Sequence, residues 1–237
     1  MASREHKITA KEALHGNWGL AISLLIISFG LPSLLTLIPI LGLITFIIIA
    51  PAIAYVPTQL LLRVKRKEEV HFNDFFKYTF SKRLGKYWLV SLLITLIIFI
   101  ANIILIGAGK LVSIPLANIS STLGNVIITI FTILTYIITY YLAFRYSQVA
   151  YIMLDHPELN ARKTIRKSAE LMKGNMLKLL CLYLSFIGWF ILTVLSLGLA
   201  SFYVLPYLYT ALASFYDGLI GHNNTEEIIT DTVIEEQ

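Results

Sequence analysis

The chain has 237 residues, of which 57% are hydrophobic and 14% are charged, and its mean hydropathy is +0.75. Soluble domains carry about 25% charged and about 45–50% apolar residues, so this composition leaves too little polar surface to coat a water-soluble globule. The high hydrophobicity also excludes an intrinsically disordered chain. The composition therefore predicts an integral membrane protein.

Six apolar runs of roughly 18–22 residues are each long enough to cross a hydrocarbon core of about 30 Å. A lipid-exposed segment must satisfy its own backbone hydrogen bonds, so these runs are predicted to be α-helices. The predicted fold class is an all-α membrane protein with six transmembrane helices, arranged as three hairpins with amphipathic helices at the cytoplasmic interface. In chain order the runs are Trp18–Ile38, Leu43–Leu62, Tyr87–Gly107, Val126–Phe144, Met176–Leu197 and Leu199–Tyr216.

The basic residues are segregated along the chain. With six spans, all of the 19 Lys and Arg residues except Lys110 fall on one side of the membrane. The positive-inside rule makes that side cytoplasmic and places both termini there. The excess of positive charge is therefore interpreted as a topology signal, and nucleic acid is not expected as a partner.

An internal similarity surrounds three glycines, Gly16, Gly85 and Gly174, which each follow a short basic segment and precede an apolar run. This similarity predicts repeats at 5–62, 72–154 and 157–220 within one membrane domain, 1–220. The alternative is that any entry into a membrane favours a turn residue and an interfacial aromatic side chain. Residues 221–237 carry five acidic and no basic side chains and are predicted to form a disordered cytoplasmic tail.

The stretch from Asp155 to Gly174 has apolar residues at helical spacing and basic residues on the opposite face. This pattern predicts a helix in the membrane interface, with its apolar side toward acyl chains and its basic side toward lipid headgroups. A second stripe, rich in Phe, lies at 72–80. The alternatives are docking of a protein partner, or a topology signal and surface brace without a ligand. The candidate contacts with anionic lipid are Arg162, Lys163, Arg166, Lys167 and Lys173.

The polar residues within the apolar runs are mostly hydroxyl and amide side chains. The absence of ionisable groups near the middle of any run argues against a proton- or sodium-coupled pump. The polar residues are expected either to hydrogen-bond between helices or to line a polar cavity, and a proline within a run either kinks its helix or frees carbonyls for a ligand. The candidates for lining a cavity are Asn102, Thr132, Tyr136, Tyr140 and Pro206.

No pattern of residues indicates catalysis. The five histidines lack metal-ligand spacing, and no metalloprotease, P-loop or serine-hydrolase motif is present. The sequence therefore predicts no enzyme and no cofactor. The leading hypothesis is a non-enzymatic membrane protein that acts through lipid or protein contacts, in envelope homeostasis or stress tolerance. The alternative is a transporter or export component for a hydrophobic or peptide-like solute.

Several segments together resemble a known family: 161–189, reading ARKTIRKSAELMKGNMLKLLCLYLSFIGW, Pro206-Tyr207, Ala213–Tyr216 and Gly16-Asn17-Trp18. The family is an uncharacterised one of bacterial multi-pass membrane proteins, known as domain of unknown function 975. It is distantly similar to the membrane domains fused to some glycerophosphodiester phosphodiesterases. The resemblance covers nearly the whole chain and implies a protein of the bacterial plasma membrane, but it transfers no activity.

Overall fold

The computed structural model describes residues 3–30, 39–81 and 83–235, with side chains for all of these except 29, 39–51 and 222–235. The described residues are helical, without strands. The helices are α1 (Ser3–Leu14), α2 (Trp18–Leu25, followed by a π-helical turn at Ile26–Gly30), α3 (Pro39–Lys65), α4 (Phe72–Thr79), α5 (Leu84–Ile119), α6 (Ser121–Arg145), α7 (Val149–Asp155), α8 (Ala161–Leu171), α9 (Met176–Leu184), α10 (Ile187–Leu195) and α11 (Ser201–Glu235).

Three helical segments of the described chain are long and apolar enough to cross a membrane: Leu84–Ile119, Ser121–Asp155 and Met176–Leu195. The prediction of an all-helical protein with membrane-spanning potential is confirmed at this level. The third of these segments is not one continuous helix, because α9 ends at Leu184 and α10 begins at Ile187. Part of the first predicted span, residues 31–38, lies outside the described residues.

Helices α5 and α6 form a long antiparallel hairpin. With 36 and 25 residues, they extend for about 54 and about 37 Å at 1.5 Å per residue, more than the thickness of a hydrocarbon core. Their main contacts with the rest of the chain are with α3, α8 and α9, near the base of the hairpin, where Tyr87 and Val90 are buried. Above that base almost no apolar side chain is buried, as expected of helices surrounded by lipid.

Small residues allow the two helices of this hairpin to approach closely. A Cβ atom added at Gly109 would lie 2.8 Å from the Cβ of Phe131, and one at Gly124 would lie 2.7 Å from the Cβ of Ala117. Small residues at helix interfaces are the usual means of close packing in a membrane, where no hydrophobic effect draws helices together. The two glycines therefore make room in the hairpin for the Phe131 side chain at one point and for the backbone of Ala117 at the other.

A buried polar contact joins the base of this hairpin to α3 and α7. Gln59 is fully buried, and its Nε2 donates to the carbonyl of Ala150 at 2.9 Å. Its Oε1 accepts a hydrogen bond of 2.8 Å from the hydroxyl of Tyr87. Both ends of the Gln59 amide are thus used, which makes the contact favourable despite its burial.

Four charged residues, which we call the polar base, connect the ends of α3 and α7 to the middle of α11: Lys65, Arg66, Asp155 and Asp217. Arg66 forms a bidentate pair with Asp155, at 2.6 and 2.8 Å, and its Nη2 also donates to Asp217 at 2.7 Å. Lys65 binds the other oxygen of Asp217 at 2.5 Å. The hydrogen bond to Asp155 and the one to Asp217 raise the pKa of the Arg66 guanidinium above its ordinary value, against the effect of burial.

Helix α1 lies antiparallel along α11. His6 contacts Ser214, with 3.1 Å between Nδ1 and Oγ, and further along Trp18 stacks on Tyr203 with 4.5 Å between ring centroids. Ala10 and Leu14 of α1 are fully buried in the same cluster as Leu208 and Ala211. The apolar face of α1 is therefore part of the protein core.

The structure corrects one expectation for α8. Its apolar face does not point toward acyl chains, because Ile165 and Leu171 are buried against the rest of the protein and Met172, which follows the helix, has no exposed surface. The same amphipathic pattern occurs in helices that pack on a protein core and in helices that lie on a lipid surface, so sequence periodicity does not distinguish the two. The Phe-rich stripe on α4 is divided between the two environments: Phe75 is buried, whereas Phe76 is partly exposed.

We expect the substitution Gln59→Leu to destabilise the protein by about 2–4 kcal/mol, because it removes the two hydrogen bonds that the buried Gln59 amide makes with the Tyr87 hydroxyl and the Ala150 carbonyl. Thermal unfolding in detergent, followed by circular dichroism, measures the change. Gln148→Leu is the matched control, since Gln148 is also buried but its amide bonds only the adjacent Ser147 and its Oε1 has no partner. Equal losses in the two variants would contradict the role given to Gln59.

Candidate functional site

A groove of about 700 Å³ lies where the C-terminal end of α6 meets α8 and the start of α9. Its walls combine basic side chains with apolar ones. We call it the basic groove, and it is lined by Tyr141, Arg145, Arg166, Ala169, Glu170, Lys173, Gly174, Met176 and Leu177.

Ser168 fixes the position of α8 relative to α6. Its hydroxyl donates to the carbonyl of Arg145 at 3.1 Å and accepts from the backbone N–H of Gln148 at 3.3 Å. The carbonyl of Arg145 is at a helix end, where intrahelical partners are lacking, so this hydrogen bond also caps α6. The N-terminus of α8 is capped by Asn160, whose side chain accepts from the N–H of Lys163 at 2.9 Å. These contacts place the basic residues of both helices on one groove.

The basic groove carries three basic side chains and one acidic side chain, a net charge of +2. The acidic residue, Glu170, pairs with Arg166 at 2.8 Å, and both side chains are exposed. Such exposed pairs between residues four apart contribute little stability, so they exchange readily for another anion. Arg145 is held along its own helix by a hydrogen bond of 2.9 Å to the Tyr141 hydroxyl. Both arginines thus present N–H groups suited to a phosphate oxygen.

The third basic residue, Lys173, lies in the turn between α8 and α9. The next residue, Gly174, has φ of +77°, a conformation that favours glycine. This turn brings the chain directly from the basic face of α8 to the apolar start of α9, where Leu177 is 73% exposed. A cationic site is therefore adjacent to an apolar surface, as the headgroup and acyl chain of a phospholipid require.

The predicted lipid contacts are not all brought together. Arg166 and Lys173 line the basic groove, whereas Arg162 and Lys163 are exposed outside it. Lys167 turns toward His156, with 2.7 Å between its Nζ and the ring Nε2. Arg145 lines the groove but was not among the residues predicted from the sequence, although a basic residue at the end of an apolar run was a usable signal.

The predicted cavity-lining residues do not form one cavity. Asn102 is engaged within the hairpin: its Nδ2 donates to Ile98 and its Oδ1 accepts from the Thr139 hydroxyl at 3.1 Å. Tyr140 is exposed on the surface of α6, and only Thr132 and Tyr136 line a cleft, of about 340 Å³, on the hairpin.

Pro206 lies in a different helix, α11. It is buried there, the helix continues past it, and its carbonyl accepts a hydrogen bond of 2.8 Å from the Thr210 hydroxyl. Asn102, Tyr140 and Pro206 do not line the cleft that Thr132 and Tyr136 share. The hydroxyl and amide groups mostly bond to their own helix or to the neighbouring one.

A second cavity, of about 470 Å³, lies beside the polar base and is lined in part by His6, Lys65, Lys178 and Asp217. Burial, then the chain's amino terminus, lowers the pKa of His6 from the ordinary value of 6.5, with a smaller lowering by Lys65 and an opposing effect of Glu5. Among the described residues, no group of three or more His, Cys, Asp or Glu side chains is arranged to hold a metal ion.

We expect the free energy of unfolding to fall as the pH drops below about 6.5, because the unfolded chain, with its ordinary His6 pKa, then binds more protons than the folded one. His6→Leu should reduce this pH dependence. Unfolding midpoints measured between pH 8 and about pH 5 give the slope. His15→Leu, at an exposed position after α1, is the control, and an equal change of slope in it would refute the assignment to His6.

One comparison with known proteins identifies a family. The family model described as "Protein of unknown function (DUF975)" matches residues 1–223, and the chain belongs to this family. No curated protein and no solved structure matches the chain.

Proposed function

We propose that this member of the DUF975 family is a non-enzymatic, multi-pass protein of the bacterial plasma membrane that acts by binding anionic phospholipid in the basic groove. The observation that carries the proposal is the junction of Arg145, Arg166 and Lys173 with the exposed apolar start of α9. A soluble anion would use only the cations of this groove, whereas a phospholipid uses both parts.

The membrane placement that we propose has the polar base and the basic groove on the cytoplasmic side, together with both termini. It is supported by the segregation of the basic residues, since Lys110 is the one Lys or Arg assigned to the opposite side. Three hairpins enter the membrane from the cytoplasmic side. The length and exposure of α5 and α6 favour a hairpin that crosses completely.

The location of the basic groove gives lipid binding a structural consequence. One wall of the groove belongs to α6, which is part of the long α5–α6 hairpin. The other wall belongs to α8 and α9, which lie outside that hairpin. Helix α9 is in contact with α6, but the contact between them is small. A phospholipid in the groove would bridge the two parts and stabilise their relative position. This behaviour suits a protein that responds to the anionic lipid content of the envelope.

We expect the double substitution Arg145→Gln/Lys173→Gln to weaken binding of phosphatidylglycerol roughly 30-fold, since each basic residue near an anionic lipid contributes about 1 kcal/mol. Native mass spectrometry of the full chain in detergent, titrated with phosphatidylglycerol or phosphatidylcholine, measures the difference. Phosphatidylcholine should bind weakly to the unmodified protein and to the variant alike.

Arg162→Gln/Lys163→Gln is the matched control, because it removes the same charge from exposed positions outside the basic groove. It should retain most of the phosphatidylglycerol affinity. An equal loss in both double variants would show that only the overall charge matters. Equal affinity of the unmodified protein for the two lipids would remove the proposal.

A further inference from the structure

The turn between α10 and α11 is apolar and its side chains project outward. Residues 195–200 read Leu-Ser-Leu-Gly-Leu-Ala, and Leu197 is 96% exposed, with Leu195 and Leu199 also largely exposed. A cluster of leucines at the tip of a hairpin is unfavourable in water. We call residues 194–202 the leucine tip.

The backbone N–H groups of residues 196–203, in and next to the leucine tip, are all hydrogen-bonded within this hairpin. The N–H groups of residues 196–199 bond to carbonyls of residues 192–196, and that of Ala200 bonds to the Ser196 hydroxyl at 2.9 Å. The N–H groups of residues 201–203 bond to carbonyls of 198–200. The hydroxyls of Ser196 and Ser201 donate to the carbonyls of Thr193 and Gly198. A turn in hydrocarbon must meet this requirement, whereas a turn in water need not.

The tip of the α5–α6 hairpin has the opposite character. Its residues 117–125 read Ala-Asn-Ile-Ser-Ser-Thr-Leu-Gly-Asn and are rich in amide and hydroxyl groups. Ser120 precedes α6 but its side chain makes no capping hydrogen bond, so the first N–H groups of α6 are left for solvent. This tip is suited to water, and the leucine tip is not.

Contacts with α1 show how deep the leucine tip reaches. The exposed face of α1 carries Arg4, Lys11 and Glu12, so this helix lies in water or among headgroups. The contacts of α1 and the following Trp18 with α11 extend from Ser214 to Tyr203, which places residues 203–214 of α11 beside these residues.

A contact of Lys7 indicates the membrane depth of α9 and α10, the other arm of the hairpin that ends in the leucine tip. The Lys7 ammonium group donates to the carbonyl of Ser185 at 2.9 Å and lies 5.0 Å from the centre of the Phe186 ring, at the break between α9 and α10. A lysine ammonium at this break indicates that the break lies at the membrane interface, so that α9, with its exposed Leu177, reaches no further than the shallow edge of the hydrocarbon. Only α10 and the turn after it remain to enter the acyl chains more deeply.

An aromatic cluster marks the boundary between the two environments. Trp18 and Trp189 both contact Tyr203, with ring centroids 4.5 and 5.4 Å apart, as in the aromatic belts of membrane interfaces. At a helical rise of 1.5 Å per residue, Gly198 is about 8 Å from Tyr203 and Leu197 is about 12 Å from Trp189. Both distances are shorter than half of a hydrocarbon core of about 30 Å.

We infer that α10 and the leucine tip form a re-entrant hairpin, which enters the acyl chains of the leaflet nearer the polar base and does not cross the membrane. The inference rests on the proposed membrane placement but not on lipid binding in the basic groove. It replaces the fifth and sixth predicted spans. A hairpin that occupies one leaflet displaces lipid from that leaflet alone, so it acts as an asymmetric wedge.

The test uses the full chain with Cys181→Ser, which removes the one native cysteine, and Leu199→Cys in the leucine tip. In liposomes the new thiol should react with a membrane-impermeant maleimide roughly tenfold or more slowly than the thiol of Ser121→Cys at the other tip. This slow reaction is expected whichever side of the membrane the reagent is added to, because a thiolate does not form in hydrocarbon. In a second sample, bimane is attached to the thiol introduced by Leu199→Cys before reconstitution. Its fluorescence should be quenched by phosphatidylcholine brominated on its acyl chains.

Three results would overturn the inference. Reaction from the side opposite the basic residues, as fast as that of Ser121→Cys, would show a complete crossing. Reaction from the basic side without quenching would place the leucine tip in water. Protection from the maleimide without quenching would show that protein, such as a second copy of the chain, covers the tip. Loss of phosphatidylglycerol binding would leave all of these readouts unchanged, so the two proposals fail separately.

Discussion

The contacts of Arg66 hold the fold together at one level. One guanidinium binds carboxylates at the end of α7 and within α11, while it is itself attached to the end of α3. The three helices come from distant parts of the sequence, so no local preference could align them. Because partly buried carboxylates are costly without a cationic partner, this network fixes where the ends of α3 and α7 meet α11. It thereby defines a polar level from which the reach of every hairpin can be measured.

The α5–α6 and α10–α11 hairpins extend to different distances from the polar base. The α5–α6 hairpin is long, exposes apolar side chains along most of its length and ends in a polar turn. The α10–α11 hairpin lies largely beside the charged helix α1 and ends in exposed leucines. Hydrocarbon demands that backbone groups be satisfied internally, and of the two turns only the second bonds all of its N–H groups. The same physical rule supports our proposal that the first hairpin reaches water and that the second stays in a single leaflet.

The basic groove and the leucine tip lie at the two ends of the same segment. Helix α9 begins at the groove with Met176 and Leu177, and α10 ends at the tip with Leu195. A phospholipid headgroup at the groove and acyl chains around the tip would belong to the same leaflet in the placement we propose. The apolar face of α8 is already used in the protein core, so its basic edge, rather than its apolar side, is what the helix offers to lipid.

The sequence by itself determined the class of protein, the helical content and the family resemblance, because composition and apolar run length depend on local residue content alone. It also identified Arg166 and Lys173, since basic residues on an amphipathic helix are a local pattern. Only the tertiary structure decided that Arg145 joins them, that Asn102 is engaged with Thr139, and that the apolar face of α8 is buried. It also divided the predicted fifth span at Ser185, where Lys7 binds. These features depend on which distant segments pack together, and residue spacing along one helix does not show which segments those are.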